Sequence, residues 1–249
     1  MTTNAAELSG RVAIVTGASQ NIGRAIAAAL AGAGAAVVVN ARQSRDAAQQ
    51  TVHAIEQAGG RASMHLADVT DPKAVNGMVD ATLAKYGRLD ILVNNAAVRE
   101  EAPFDQLKFD DWRRILSVIL DGAFLCAQAC APHMIKAGGG SIVNIGGLTA
   151  YTGARKRAHV VTAKAGIAGL TKALAFDLAP HVTVNCVSPG LIDTARAGAT
   201  PAHHAERKTV VGRHGMPADV AAAVVMLCGP RARYITGETV HVNGGLFMG

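Results

Sequence analysis

Residues 12–26 read Val12-Ala13-Ile14-Val15-Thr16-Gly17-Ala18-Ser19-Gln20-Asn21-Ile22-Gly23-Arg24-Ala25-Ile26. The stretch opens as a short apolar run rich in β-branched residues, which suits a strand buried on both faces. A turn of small residues follows, and alanine and leucine then continue at helical spacing through Leu30. A strand that turns sharply into a helix aims the helix's unpaired N–H groups and its positive dipole end at one point. Such a point is an anion site, suited to the pyrophosphate of a dinucleotide. Gly17 permits the tight turn, and Gly23 the close packing of helix on strand. Asn21 stands where the backbone must approach the phosphates, and asparagine is among the few residues that accept the left-handed conformation at modest cost.

The same alternation recurs outward from this stretch. Residues 35–40 read as a second buried strand, 46–58 as an amphipathic helix closed by Gly59-Gly60, and 61–66 as a third strand. Asp71 caps a helix that has Pro72 in its first turn and runs to about Tyr86 before Gly87. Residues 89–93 form a fourth strand. A helix over 109–128 extends to about 137 only across Pro132, which should kink or break it. Strands follow at 141–145, 182–187 and 238–242, with helices over 157–179 and 217–227. Residues 191–215 have no strong period and are rich in His, Arg and Lys, as in a functional or mobile loop. No composition break or repeat interrupts the alternation. The reading is one α/β domain over 1–249, doubly wound in the Rossmann manner, with a parallel sheet of about seven strands and helices on both faces.

Composition narrows the function classes. Half of the 249 residues are hydrophobic and aromatics are scarce, as expected of small-residue helices packed on a parallel sheet. The net charge of +6 fits a mildly basic enzyme with an anionic cofactor. No basic stripe interleaved with aromatics points to nucleic acid. Cys126 and Cys130 share a helix face, but no second pair or histidine completes a metal spacing, so Cys126, Cys130, Cys186 and Cys228 read as reduced, packed thiols. Residues 1–11 are polar, and no apolar run reaches the length of a membrane span, so a cytoplasmic protein is expected.

Five stretches together resemble the short-chain dehydrogenase/reductase family, over essentially the whole chain. They are Thr16-Gly17 through Ile22-Gly23, Asp68-Val69, Asn94-Asn95-Ala96-Ala97, Ser188 to Thr194, and Tyr234-Ile235-Thr236-Gly237 with Val242-Asn243-Gly244-Gly245. The last resembles the tail of the 3-oxoacyl-(acyl-carrier-protein) reductase-like branch. The resemblance implies a nicotinamide cofactor held at Gly17, Ser19, Gln20, Asn21 and Ile22, with Asp68 and Val69 beside the adenine. It also implies Asn95 and Ala96 under the cofactor, Lys164 on its ribose, and Pro189, Gly190, Ile192 and Thr194 at the nicotinamide amide. The second strand ends in Asn40-Ala41-Arg42, with no carboxylate for a ribose 2′-hydroxyl. Arg42 can pair instead with a 2′-phosphate, which favours NADP(H) over NAD(H), or it is a solvated turn arginine.

The family's chemistry implies a tyrosine acid, a lysine four residues later that lowers its pKa, an orienting serine and an asparagine supporting a relay water. Lys164 stands in the lysine place. Four residues before it is Val160; the serine place is Gly147, and the asparagine place is Ile119. The usual tyrosine-dependent mechanism is therefore unavailable. Three residues are candidates for a replacement. Lys164 could donate a proton if burial lowers its pKa, or serve only to hold the ribose. His159 is either a substitute acid or a surface or subunit-contact histidine, since helix neighbours diverge by about 100°. Tyr151 either reaches the pocket from its loop or packs as a loop aromatic.

Arg155-Lys156-Arg157, with His203, His204, Arg207, Lys208, Arg213 and His214, is either a basic mouth for an anionic small-molecule or acyl substrate or a solvated loop. Three functions fit these residues. The first is an oxidoreductase with an unconventional proton donor. The second is a cofactor-binding sensor or non-catalytic partner subunit. The third is a lyase, isomerase or hydratase reusing the pocket. A homotetramer is implied by resemblance alone.

Overall fold

The computed structural model describes residues 7–194 and 209–249. Seven parallel strands form one sheet in the order β3-β2-β1-β4-β5-β6-β7. They are β1 Val12–Val15, β2 Ala36–Ala41, β3 Arg61–Leu66, β4 Ile91–Asn94, β5 Gly140–Ile145, β6 Val182–Pro189 and β7 Thr239–Val242. Every residue of β1, β2, β4, β5 and β6 is buried, whereas the edge strands β3 and β7 are largely half-buried. That is why the central strands read as continuous apolar runs rather than alternating ones.

The period of two still shows in which face each side chain takes. Ala13, Val15, Val37, Val39 and Val93 pack on one side of the sheet; Ile14, Val38, Leu92 and Ile142 pack on the other. The first side is covered by α1 (Asn21–Gly32), α2 (Arg45–Gln57) and α8 (Pro217–Cys228). The second is covered by α3 (Pro72–Tyr86), α5 (Gly122–Lys136) and α7 (Ala158–Asp177). A short α4 (Phe109–Leu116) precedes α5, and α6 (Thr149–Thr152) follows β5.

Local signals behave as their chemistry dictates. Asp71 caps α3 by accepting from the Lys73 N–H at 2.8 Å, and Gly87 closes that helix with a φ of 77°. Pro132 departs from expectation: α5 runs through it to Lys136 without a break. Pro132 and Gln128, whose carbonyl loses its partner, both lie on the exposed stripe, where water can replace the missing bond. The irregularity falls earlier, in a π-helical turn over Ser117–Asp121.

The helical run Phe109–Lys136 is, counter to expectation, long and apolar enough by composition to cross a membrane. Its apolar stripe of Ala123, Cys126, Ala127, Cys130 and Met134 is buried within the fold. All four cysteines are buried and free, and burial pushes the Cys126 and Cys228 thiols up to about 12.

Candidate active site

Strand order reverses between β1 and β4, and the crevice beyond their carboxyl ends is where such sheets bind ligands. The turn from β1 into α1 opens there. Gly17 has a φ of 60° and Asn21 a φ of 51°, so Asn21 does adopt the left-handed conformation. A Cβ on Gly23 would lie 2.3 Å from the Gly17 carbonyl oxygen and 2.5 Å from Asn95 Nδ2, so only glycine fits. No side chain caps α1 at Gln20, and its first turn carries no acidic residue. These N–H groups and this cradle fit a phosphate.

Two asparagines fix the turn in place. Asn95 Nδ2 donates to the carbonyls of Thr16 (2.9 Å) and Gly17 (3.0 Å). Asn40, 1% exposed, accepts from the Gly17 N–H at 3.3 Å and donates to Ala67 O at 3.1 Å. Backbone groups thus use both ends of its amide, so it supports the loop. Thr16, the first residue of the same motif but given no role in it, is a third support: its hydroxyl accepts from the backbone N–H groups of Asn95 and Ala96. Its signal in the sequence is its place between a buried strand and the first glycine. Ser19 and Ile22 are buried in the turn, and Gln20 is exposed.

On the β2–β3 side, Arg42 is mostly exposed, with one guanidinium nitrogen 3.9 Å from Asp68. Burial pushes the Asp68 carboxyl up, but hydrogen bonds from Thr70 and the Arg42 charge outweigh it and leave the carboxyl below its usual range. Val69 is buried so closely on the start of α5 that a Cβ on Gly122 would meet its Cγ2 at 2.7 Å.

Lys164 is 8% exposed, and its Nζ donates to the Ile145 carbonyl at 2.6 Å. Burial pulls its ammonium down to about 8; the Arg99 charge adds to the fall, and Cys186 opposes it. Arg99 has no signal in the sequence, because only the fold brings the loop after β4 toward α7. Val160 and Ile119 are buried together in an apolar cluster with Ile115, Ala163, Ile167 and Cys186. Beside Gly147 the space is open. At these positions the structure offers no hydroxyl or amide side chain to a reacting carbonyl.

The two other acid candidates occupy different settings. His159 is 1% exposed, so it is not a surface histidine: the first turn of α7 is packed under its neighbours, and both ring nitrogens lack a partner. Tyr151 lies in the short helix α6 and not on a loop, and it is packed: its hydroxyl meets Thr239 Oγ1 at 3.1 Å, and its ring contacts His241 and Phe247.

At the far side, Gly190 approaches Asn243 so closely that a Cβ would lie 2.6 Å from its Cα. The Pro189 carbonyl accepts from Leu148 N–H, and Ile192, two residues before Thr194, bridges to Gly215. Of the basic cluster, Arg157 pairs with Glu101, Arg213 with Asp219 and His214 with Asp193. Arg157 and Arg213 are therefore ion-paired and His214 is hydrogen-bonded to a carboxylate, so these three do not form a free basic mouth. Arg155 and Lys156 are exposed. His203, His204, Arg207 and Lys208 lie outside the described residues.

Residues 17–247 match the family model described as enoyl-(acyl carrier protein) reductase. A 3-oxoacyl-[acyl-carrier-protein] reductase of Synechocystis sp. is 40% identical over 97% of this chain and 98% of its own length. A counterpart from Staphylococcus aureus is 36% identical over 95% of this chain and 98% of its own. Among solved structures, a dehydrogenase/reductase from Sinorhizobium meliloti superposes with a TM-score of 0.93 at 36% identity, covering 98% of each chain. A short chain dehydrogenase from Burkholderia cenocepacia, solved in complex with NADP, does so with a TM-score of 0.90 at 38% identity, covering 96% of this chain and 99% of its own.

Proposed function

The chain belongs to the short-chain dehydrogenase/reductase family, and from that premise we propose that it is an NADP(H)-dependent oxidoreductase of acyl-type carbonyl or alcohol substrates working without the family's tyrosine. Its relatives are 3-oxoacyl-(acyl-carrier-protein) reductases and other oxidoreductases of this family, which supports a nicotinamide-dependent redox role. The observation that carries the proposal is the contrast within one crevice. The cradle of Gly17, Asn21 and Gly23 is held ready by Asn95 and Asn40, while the wall at Gly147, Val160 and Ile119 carries no acid.

When bound, the nicotinamide supplies or accepts a hydride. The chain's own residues do the rest. The first turn of α1 holds the pyrophosphate, and Asp68 and Val69 flank the adenine. Arg42 turns from Asp68 to a 2′-phosphate, which gives the preference for NADP(H). Lys164, whose ammonium keeps two N–H groups beyond the one given to Ile145, holds the ribose hydroxyls. With a pKa near 8 it is also the group here that can exchange a proton near neutral pH. Ile119 and Val160 exclude water from the wall.

A second reading, an NADP(H)-binding sensor or non-catalytic subunit, is favoured by the apolar wall itself. A positioned acid is worth about 10²–10⁴ in rate, and its absence leaves mainly proximity. A subunit role, and equally a homotetramer, is supported by an open apolar groove of about 640 Å³ between α5 and α7, lined by Leu120, Phe124, Leu125 and Leu170. The setting we assign is cytoplasmic.

The deciding experiment mixes the full chain with NADPH and a 3-oxoacyl thioester and follows absorbance of the reduced cofactor. Substrate-dependent loss of NADPH that falls with Lys164→Ala supports the oxidoreductase. Tight NADPH binding without loss over a broad carbonyl panel supports the sensor. Product formed without net cofactor oxidation would instead indicate a lyase or isomerase.

A further inference from the structure

The carbonyl oxygen of Ser19, in the turn from β1 into α1, is met by three side-chain donors. Arg24 Nε and Nη2 reach it at 3.2 and 2.8 Å, and Thr51 Oγ1 at 3.3 Å. Arg24 Nε also donates to Thr51 Oγ1 at 3.1 Å, and that hydroxyl lies 3.0 Å from the Ala47 carbonyl. Thr51 is 1% exposed, so its hydroxyl works among these groups alone: it accepts from Arg24 and gives its one proton to Ser19 or Ala47. One node thus joins the turn, α1 and the start of α2. Arg24 is the fourth residue of α1, at the end where the helix dipole disfavours a cation. What its guanidinium gains there comes from bonds that leave its own helix.

We propose that Arg24 sets the preference for NADP(H), an inference that rests on the reading of the crevice above. By pinning the Ser19 carbonyl to Thr51, it holds the pyrophosphate turn and the loop that carries Arg42 as one body. Arg24 and Thr51 are positioning residues and act through Ser19 and Arg42. The linkage is short on both sides. Only Arg42, Gln43 and Ser44 separate β2 from α2, so where α2 sits decides where Arg42 sits. The Ser19–Gln20 peptide is trans and planar, so the direction of its carbonyl fixes the opposite direction of the Gln20 N–H at the mouth of α1.

The two dinucleotides differ in what they ask of this frame. NADP(H) must place its pyrophosphate on the turn and its 2′-phosphate on Arg42 at the same time. Two contacts at a fixed separation gain from a braced frame, because less freedom is lost on binding. NAD(H) has no 2′-phosphate and makes no use of Arg42, so the brace matters less to it. Among the described residues Arg24 and Arg42 share no hydrogen-bond or ion-pair partner. Without a shared frame, substitutions at the two arginines should therefore act independently.

The test titrates NADP⁺ and NAD⁺ calorimetrically into the full chain and its variants Arg24→Met, Thr51→Val, Thr51→Ser, Arg42→Ala and Arg24→Met with Arg42→Ala. Thr51→Ala replaces Thr51→Val if the valine variant does not fold. Expected is a fall of about threefold to tenfold in the ratio of NADP⁺ to NAD⁺ affinity in Arg24→Met and in the charge-neutral Thr51→Val. Thr51→Ser, which keeps the hydroxyl, should keep the ratio. In the double variant the two losses of NADP⁺ affinity should combine to less than their product, because an unbraced Arg42 has less to lose. Equal weakening of both dinucleotides marks a merely structural brace and overturns the proposal. A ratio that falls with Arg24→Met but not with Thr51→Val assigns the effect to charge alone and overturns it too, as does a full product of losses in the double variant. A native chain that binds neither dinucleotide, or both alike, counts against the NADP(H) reading and takes this inference with it. A native preference for NADP⁺ that survives Arg24→Met removes this inference alone.

Discussion

Among the described residues, a Cβ on Gly147 would have a single non-adjacent neighbour within 4 Å, the Cγ of Lys164 at 3.9 Å. Gly147 thus opens onto the stem of the lysine, with ordinary van der Waals room for a side chain. What the site lacks there is a functional group, and space remains for one.

Restoring that group should restore chemistry. Gly147→Ser should fold as well as the native chain. Combined with Val160→Tyr, it should raise NADPH-dependent reduction of a 3-oxoacyl thioester by about 10²-fold or more, the scale of a positioned acid and an oriented donor. Steady-state kinetics of the single and double variants check this. Val160→Tyr alone should also cost stability, because Val160 is packed against Ile119 and Ala163.

Lys164 sets a pH dependence whose sign follows from its buried ammonium. Its pKa falls from 10.5 to about 8 on folding, so between those values the unfolded chain binds the extra proton. Stability from this group therefore rises as pH increases from about 8 to 10.5, by up to about 3 kcal/mol. Denaturant titrations at pH 7.5, 9 and 10 should show that rise in the native chain, and a flatter profile in Lys164→Met. NADP(H) affinity should fall as pH rises through about 8, where the folded chain loses the ammonium donors.

Gly23→Ala should act on both stability and binding. Its methyl would sit 2.3 Å from the Gly17 carbonyl oxygen and 2.5 Å from the asparagine amide that staples the loop. Overpacking of this kind costs about 1–3 kcal/mol. A lower melting temperature together with loss of detectable NADP⁺ binding is expected; unchanged binding would mean that the cofactor does not use this turn.

Arg42→Ala should separate the two dinucleotides. Removing a guanidinium from a 2′-phosphate should weaken NADP⁺ by about tenfold or more and leave NAD⁺ nearly unchanged. Parallel titrations with both cofactors measure the ratio. Equal effects on both would reduce Arg42 to a partner of Asp68.

Most of the architecture was legible because parallel strands buried on both faces must be written as apolar runs, and because turns demand particular residues. β1, β2, β5 and β6 lie where their Val- and Ile-rich segments place them, and Asp71, Pro72 and Gly87 bound their helix. The helix continues across Pro132 without the break that proline can cause, because its penalty depends on whether solvent can serve the freed carbonyl, which no local pattern states. The π-turn at Ser117–Asp121 left no signature in composition.

For the site, the chain by itself determined the chemistry on offer. It provides glycines at a strand-to-helix turn, a lysine at position 164, and no hydroxyl or amide at Gly147, Val160 and Ile119. Covalent identity is carried by sequence alone, so these statements needed no coordinates. Only the tertiary structure decided environment. It buried Lys164 on the Ile145 carbonyl and within reach of the Arg99 charge, turned Tyr151 to Thr239, paired Arg157 with Glu101, and sealed His159 without a partner. Desolvation and hydrogen-bond satisfaction depend on atoms brought together from distant parts of the chain, and so the glycine turn was readable from residues 12–26 while the state of Lys164 was not.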